Sequence, residues 1–202
     1  DTSSLAALAA NRGADGAISL REAIIAANNT ANGTSADRIV FNIAGTGVHS
    51  ITPLTALPTI TGAVTIDATT DDSFGANLNR PAIIIDGNNG AFEAFVLSST
   101  ADGSVIRGFV LRDFNGDAIE IQAGSDGNTI TGNYIGSLNE FWSSAGVAEA
   151  NSLSGLYVLG SNNTISGNVL SGNAYSGVEF DGTASGNAAN CARSLCSGSR
   201  VS

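Results

Sequence analysis

Short apolar strands, each with one outward centre, return along most of the chain. One set reads Val64-Thr65-Ile66, Phe95-Val96-Leu97, Ile119-Glu120-Ile121, Leu156-Tyr157-Val158 and Val178-Glu179-Phe180. A second ends in glycine or nearly so: Ile85-Asp86-Gly87, Ile106-Arg107-Gly108, Ile130-Thr131-Gly132 and Ile165-Ser166-Gly167. A third follows at once, in Phe109-Val110-Leu111, Asn133-Tyr134-Ile135 and Asn168-Val169-Leu170. Period-2 alternation bounded by Gly and Asn predicts strands. Equivalent positions lie 24 residues apart from Phe95 to Ile119 and 22 apart from Leu156 to Val178. Because like strands stand a full unit apart, like pairs with like in parallel. The pattern predicts an all-β, right-handed parallel β-helix of about five to six coils. Inward residues such as Ile119, Ile121, Ile130, Leu156 and Ile165 fill its core. Asn128, Asn163, Asn168 and Asn173 are expected at corners, where left-handed backbone is tolerated. The first coil begins near Ile39 to Ile43, with Pro53 and Pro58 at its corners. An antiparallel sandwich would also give short strands and Gly-rich turns, but not an I-x-G signature returning at constant phase.

The beginning of the chain has a different period. Ser19 and Glu22 make the S-x-x-E capping box, and Leu20, Ala23, Ile24 and Ala27 fall on one helical face. Asn28-Asn29-Thr30 ends this helix, and an Ala/Leu-rich stretch from Ser4 to Ala10 predicts a shorter one before it. After Gly33 no comparable helical period appears. The helix therefore has to lay its apolar face on the open end of the strand stack. The expected organisation is a helical cap over residues 1–36 and a β-helix over 37–187. A loop is inserted near 137–153, and 188–202 form an irregular tail.

The string Gly16-Ala17-Ile18-Ser19-Leu20-Arg21-Glu22-Ala23-Ile24 resembles the N-terminal CSLREA motif of bacterial secreted and surface proteins with parallel β-helix repeats. Ala17 stands where that motif's cysteine belongs, so any role of the thiol is missing. Leu57-Pro58-Thr59-Ile60 and Ile83-Ile84-Ile85-Asp86-Gly87 continue the resemblance. It implies a secreted or cell-surface bacterial protein with a capped β-helix, and it implies no reaction.

Composition narrows the function classes. The 202 residues carry eight basic side chains, all Arg, against eighteen acidic ones, for a net charge of −10. That balance repels phosphate backbones, which argues against nucleic acid. No apolar run is long enough to insert in a membrane. Met is absent, as expected of a mature or excised chain. Cys191 and Cys196 could close only a local loop and lack the partners of a zinc site.

Chemistry is sought in the outward columns. One is expected to read Thr65, Val96, Glu120, Tyr157, Glu179. Glu120 and Glu179, two coils apart at roughly 9.6 Å by strand spacing, suit a carboxylate pair acting on a glycoside. Tyr157 between them, Phe141 and Trp142 on the inserted loop, and Arg107 are the candidate ligand contacts. Arg107 is also expected to pair with Asp86. Asp67, Asp71 and Asp72 in one loop are the candidate metal ligands, for Ca2+; no other cofactor is indicated. His49 is the sole histidine and could serve an esterase with Asp67 or Asp86 behind it, while Ser50 points the other way.

These features predict an adhesive or structural module of the bacterial surface, with polysaccharide or surface glycan as partner. Self-association through the terminal coil is a second expected contact. The alternatives are a carbohydrate-active hydrolase using Glu120 and Glu179 and an esterase-type hydrolase using His49.

Overall fold

The computed structural model describes residues 1–137, 149–182 and 184–190, and the backbone of 200–201. Two helices come first. In α1 (Leu5–Ala10) the Ser4 hydroxyl accepts from the Ala7 amide at 3.1 Å. In α2 (Leu20–Asn28) the Glu22 amide donates to Ser19 Oγ at 3.2 Å, and the Ser19 amide donates to Glu22 Oε2 at 2.9 Å. The capping box thus satisfies two amides that the helix itself cannot. Leu20, Ala23, Ile24 and Ala27 join the same core cluster as Ile39, Phe41 and Ile60, so α2 covers one end of that core.

Three parallel sheets follow. The first contains β1 (Asp37–Val40), β3 (Val64–Asp67), β6 (Val105–Arg107), β9 (Thr129–Thr131), β12 (Thr164–Ser166) and β15 (Ala188–Asn190). The second contains β2 (His49–Ile51), β4 (Ile83–Gly90), β7 (Phe109–Phe114), β10 (Tyr134–Gly136) and β13 (Val169–Ser171). The third contains β5 (Phe95–Leu97), β8 (Ile119–Ile121), β11 (Leu156–Val158), β14 (Val178–Phe180) and β16 (Arg200–Val201). From β3 to β14 the chain visits first, second and third sheet in rotation. In the opening coil Ile60 takes the third-sheet place through a parallel bridge to Leu97. The protein is thus a parallel, solenoid-like β-structure with few helices. Among the described residues no helix is long and apolar enough to cross a membrane.

Inward residues of all three sheets form one cluster, including Ile66, Ile106, Ile130 and Ile165 from the first and Leu97, Ile121 and Val158 from the third. Near the capped end aromatic rings fill the width. Phe109 meets Phe41 edge-on at 5.4 Å and Phe95 at 5.5 Å between centroids.

Several expected alignments need correction. Val64-Thr65-Ile66 pairs with β1, and Thr65 and Ile66 continue onto β6, so Thr65 stands between Arg38 and Val105 and not beneath Val96. Ile85 and Asp86 stack on Leu111 and Arg112 in the second sheet, not on Ile106 and Arg107. The cause is an excursion after β3. It holds a 3-10 turn over Ala68–Thr70 and α3 (Asp72–Ala76), a helix the sequence period does not predict. These extra residues hide the phase of the early coils. The repeat also runs past 187. Ala188–Asn190 pairs with Thr164–Ser166, and Arg200–Val201 with Glu179–Phe180, so residues 188–202 are not wholly irregular.

The corner asparagines have a different cause from the expected one. Asn128, Asn163, Asn168 and Asn173 are absent from the residues with positive φ. They build ladders instead. The Ser104 amide donates to Asn128 Oδ1, the Asn128 amide to Asn163 Oδ1 and the Asn163 amide to Asn187 Oδ1, at 2.7–2.9 Å. Asn133 and Asn168 repeat this at the next corner, where the Phe109 amide donates to Asn133 Oδ1 at 3.0 Å. Each amide side chain satisfies corner groups that the sheets leave over.

Candidate functional site

The outer face of the third sheet brings together three of the expected site residues, Glu120, Tyr157 and Glu179. Val96, Glu120, Tyr157 and Glu179 are consecutive register partners, so the predicted column stands once Thr65 is removed from it. Strands 4.7–4.9 Å apart place Glu120 and Glu179 one step either side of Tyr157. All three are half-buried. The Tyr157 hydroxyl donates to Asp181 Oδ2 at 2.8 Å, which holds its proton and pushes the phenol up to about 12.

A second column runs beside this one, three residues earlier in each unit: Glu93, Asp117, Ser154 and Ser176. Its backbone stacks too, with the Ala118 amide donating to Ser154 O and the Gly155 amide to Ser176 O. The Ser154 amide donates to Asp117 Oδ1 at 2.7 Å, and the Ser154 hydroxyl donates to Glu179 Oε2 at 2.9 Å. Burial, reinforced by the charges of Glu179, Glu93 and Glu120, pushes Asp117 up to about 6 despite the Ser154 amide. Burial also raises Glu120. Asp117 is the residue that sequence reasoning missed. Gly116-Asp117 reads as turn punctuation, and only the alignment of Glu93, Asp117, Ser154 and Ser176 as one column would have exposed it. Chemically, the face offers a carboxyl raised to about 6 beside a glutamate receiving a hydroxyl, with a phenol ring between two coils.

The other expected sites are not assembled as predicted. Asp67 is fully buried and accepts from Arg107 at 2.6 Å and Arg38 at 2.9 Å, so Arg107 pairs with Asp67 and not Asp86. Arg112 takes Asp86, at 3.0 Å, and Glu149, at 3.3 Å. Burial works against the charge on Asp67, but the two guanidiniums and the Thr69 hydroxyl hold its carboxyl well below the usual range. Asp71 caps α3, accepting from the Ser73 amide and hydroxyl and from the Ile43 amide. Asp72 is exposed. The three carboxylates therefore face different partners, and the Ca2+ reading loses its ligand set. No cluster of three metal-ligating side chains occurs among the described residues.

His49 shares its register position with the inward Ile83, and Ser50 with the outward Ile84. Its Nε2 is buried without a hydrogen-bond partner, and its nearest carboxylate is Asp71 at 3.9 Å, neither Asp67 nor Asp86. Ser73 turns its hydroxyl to Asp71. The order serine, histidine, carboxylate that activates a nucleophile is therefore not formed here. Phe141 and Trp142 lie outside the described residues, as do Cys191 and Cys196.

With this geometry in place, the chain was compared with protein-family models, curated proteins and solved structures, and none matches.

Proposed function

We propose that this chain is a capped, closed right-handed parallel β-helix from a bacterial secreted or cell-surface protein, and that it binds polysaccharide along the third sheet. The observation that carries this reading is the column Glu120, Tyr157, Glu179. A ring of mixed character lies between two carboxylates at strand spacing, which suits a sugar: its apolar face stacks and its hydroxyls donate on either side. The rotation of the chain through three sheets supports the helix, and the resemblance around Ser19–Glu22 supports the location. A glycan array probed with the wild type and with Tyr157→Ala tests it. Binding that the substitution weakens at least ten-fold is expected. No glycan bound, or binding indifferent to Tyr157, overturns it.

One observation favours a second reading, a carbohydrate-active hydrolase. Asp117, raised to about 6, fits the acid that protonates a leaving oxygen, with Glu179 as the second carboxylate. Glu120 then lies to one side of the pair and is not itself the acid. Reducing-end release from a polysaccharide panel should vanish in Asp117→Asn and Glu179→Gln and fall only several-fold in Glu120→Gln. Binding without any hydrolysis by the wild type would leave the adhesive reading and remove this one.

A further inference from the structure

Away from the third sheet, the excursion after β3 arches over the corner where the first sheet meets the second. It is seated on Gly108. A Cβ there would lie 2.5 Å from Thr69 Cγ2 and 3.0 Å from the Thr69 amide nitrogen. Gly132 and Gly167 occupy the same corner on the next two coils, also with positive φ. A Cβ at Gly132 would meet nothing within 4 Å, and one at Gly167 would touch only Thr131 Oγ1 at 3.6 Å and the Gly132 amide nitrogen at 3.9 Å. The arch thus covers one coil closely and stops short of the next two. The space left is a cavity of about 350 Å³.

Its walls are of two kinds. Phe74 of the arch and Tyr134 and Val169 of the second sheet supply apolar surface. Tyr134 and Val169 belong to an outward apolar row with Ile84 and Val110, all buried, although they face away from the main core. On the first-sheet side lie Arg107 and its register neighbour Thr131. Arg107 spends one terminal nitrogen on Asp67, while 42% of its side chain stays exposed. Arg38 and Arg107 share the single carboxylate of Asp67, and the Arg80 charge bears on the Tyr134 hydroxyl. Arg107 is the charged side chain among the residues lining the cavity.

We propose that the cavity is a second binding site, which takes one carboxylate-bearing sugar ring, a uronic acid. The volume is at the small end for ligand sites and suits one ring. Phe74 and Tyr134 flank the ring, the carboxylate accepts from the exposed end of the Arg107 guanidinium, and the Thr131 hydroxyl meets a ring substituent. The site uses none of the residues of the third-sheet column, so it stands or falls separately from the function proposed above.

The test is a titration with D-glucuronate followed by ligand-observed NMR, with D-glucose and inorganic phosphate as the other two probes. Glucuronate is expected to bind, and glucose and phosphate to bind at least ten-fold more weakly. Arg107→Lys keeps a cation for Asp67 but removes the exposed guanidinium donors, and should weaken glucuronate about ten-fold. Gly132→Asn tolerates the left-handed backbone while filling the cavity floor, and should abolish binding with little change in Tm. Phe74→Ala, at a half-buried position of the arch, gives a second reading if either variant folds poorly. No glucuronate bound at millimolar concentration overturns the proposal. So does phosphate binding as tightly, or glucuronate binding unchanged in Gly132→Asn or Phe74→Ala.

Discussion

Asp67 and Asp117 are carboxylates sunk into the same β-structure, and their surroundings send them in opposite directions. Two guanidiniums hold Asp67 ionised, while burial among like charges raises Asp117 to about 6. The consequences for stability have opposite signs. A carboxyl raised in the folded state contributes most below its unfolded value of 3.8, and that contribution is lost as pH rises through about 6. The contribution of Asp67 is complete above 3.8 and lost as pH falls further. Asp117→Asn keeps the acceptor for the Ser154 amide and removes the charge. Urea denaturation should therefore find it more stable than wild type at pH 7, with the gap closing toward about pH 4. Parallel pH profiles for the two proteins would show that Asp117 does not carry this dependence.

Elements here are held by what happens between strands, at the corners. Asn133 accepts from the Phe109 amide and donates to Ile106 O and to Asn168. Asn133→Ala leaves a buried donor and a buried acceptor open, so a loss of about 3 kcal/mol or more is expected in equilibrium unfolding. Glycine at this same corner does a different job on each coil. Gly108 and Gly132 both have positive φ, so alanine is strained at either, but only Gly108 is pressed by Thr69. Thermal melts of Gly108→Ala and Gly132→Ala should differ by about 1–3 kcal/mol, with Gly108→Ala the less stable. Equal losses would mean that the arch yields at no cost.

Across the whole molecule, stability passes from coil to coil, because each strand row contacts its neighbours on either side. The end rows carry the exposure. α2 covers Ile39, Phe41 and Ile60, and Ile24 is its most deeply buried residue among those facing them. Ile24→Ala should cost about 2–5 kcal/mol. Deleting residues 1–31 should open the apolar end, raising binding of a hydrophobic dye and producing association visible in sedimentation. A monomeric variant with unchanged dye binding would place the cap outside the folding unit.

Much of this arrangement was written in local patterns. Leu20, Ala23, Ile24 and Ala27 specify a helical face, Ser19 and Glu22 specify its start, and strict alternation in Ile119-Glu120-Ile121 and Leu156-Tyr157-Val158 specifies which residues look inward. Regular spacing also placed Glu120, Tyr157 and Glu179 in one column, since alternation and a constant repeat are enough to do so. What lay beyond local pattern was the phase of the irregular units and the partners of the charges. Asp67 reads as one acid among three in a loop, and nothing nearby in the chain reveals that Arg38, 29 residues before it, and Arg107, 40 residues after it, close on its carboxylate. Asp117 looks like a turn residue until its neighbours from other coils bury it. Alternation is a property of consecutive residues, whereas desolvation and charge pairing depend on groups brought close only when the sheets stack.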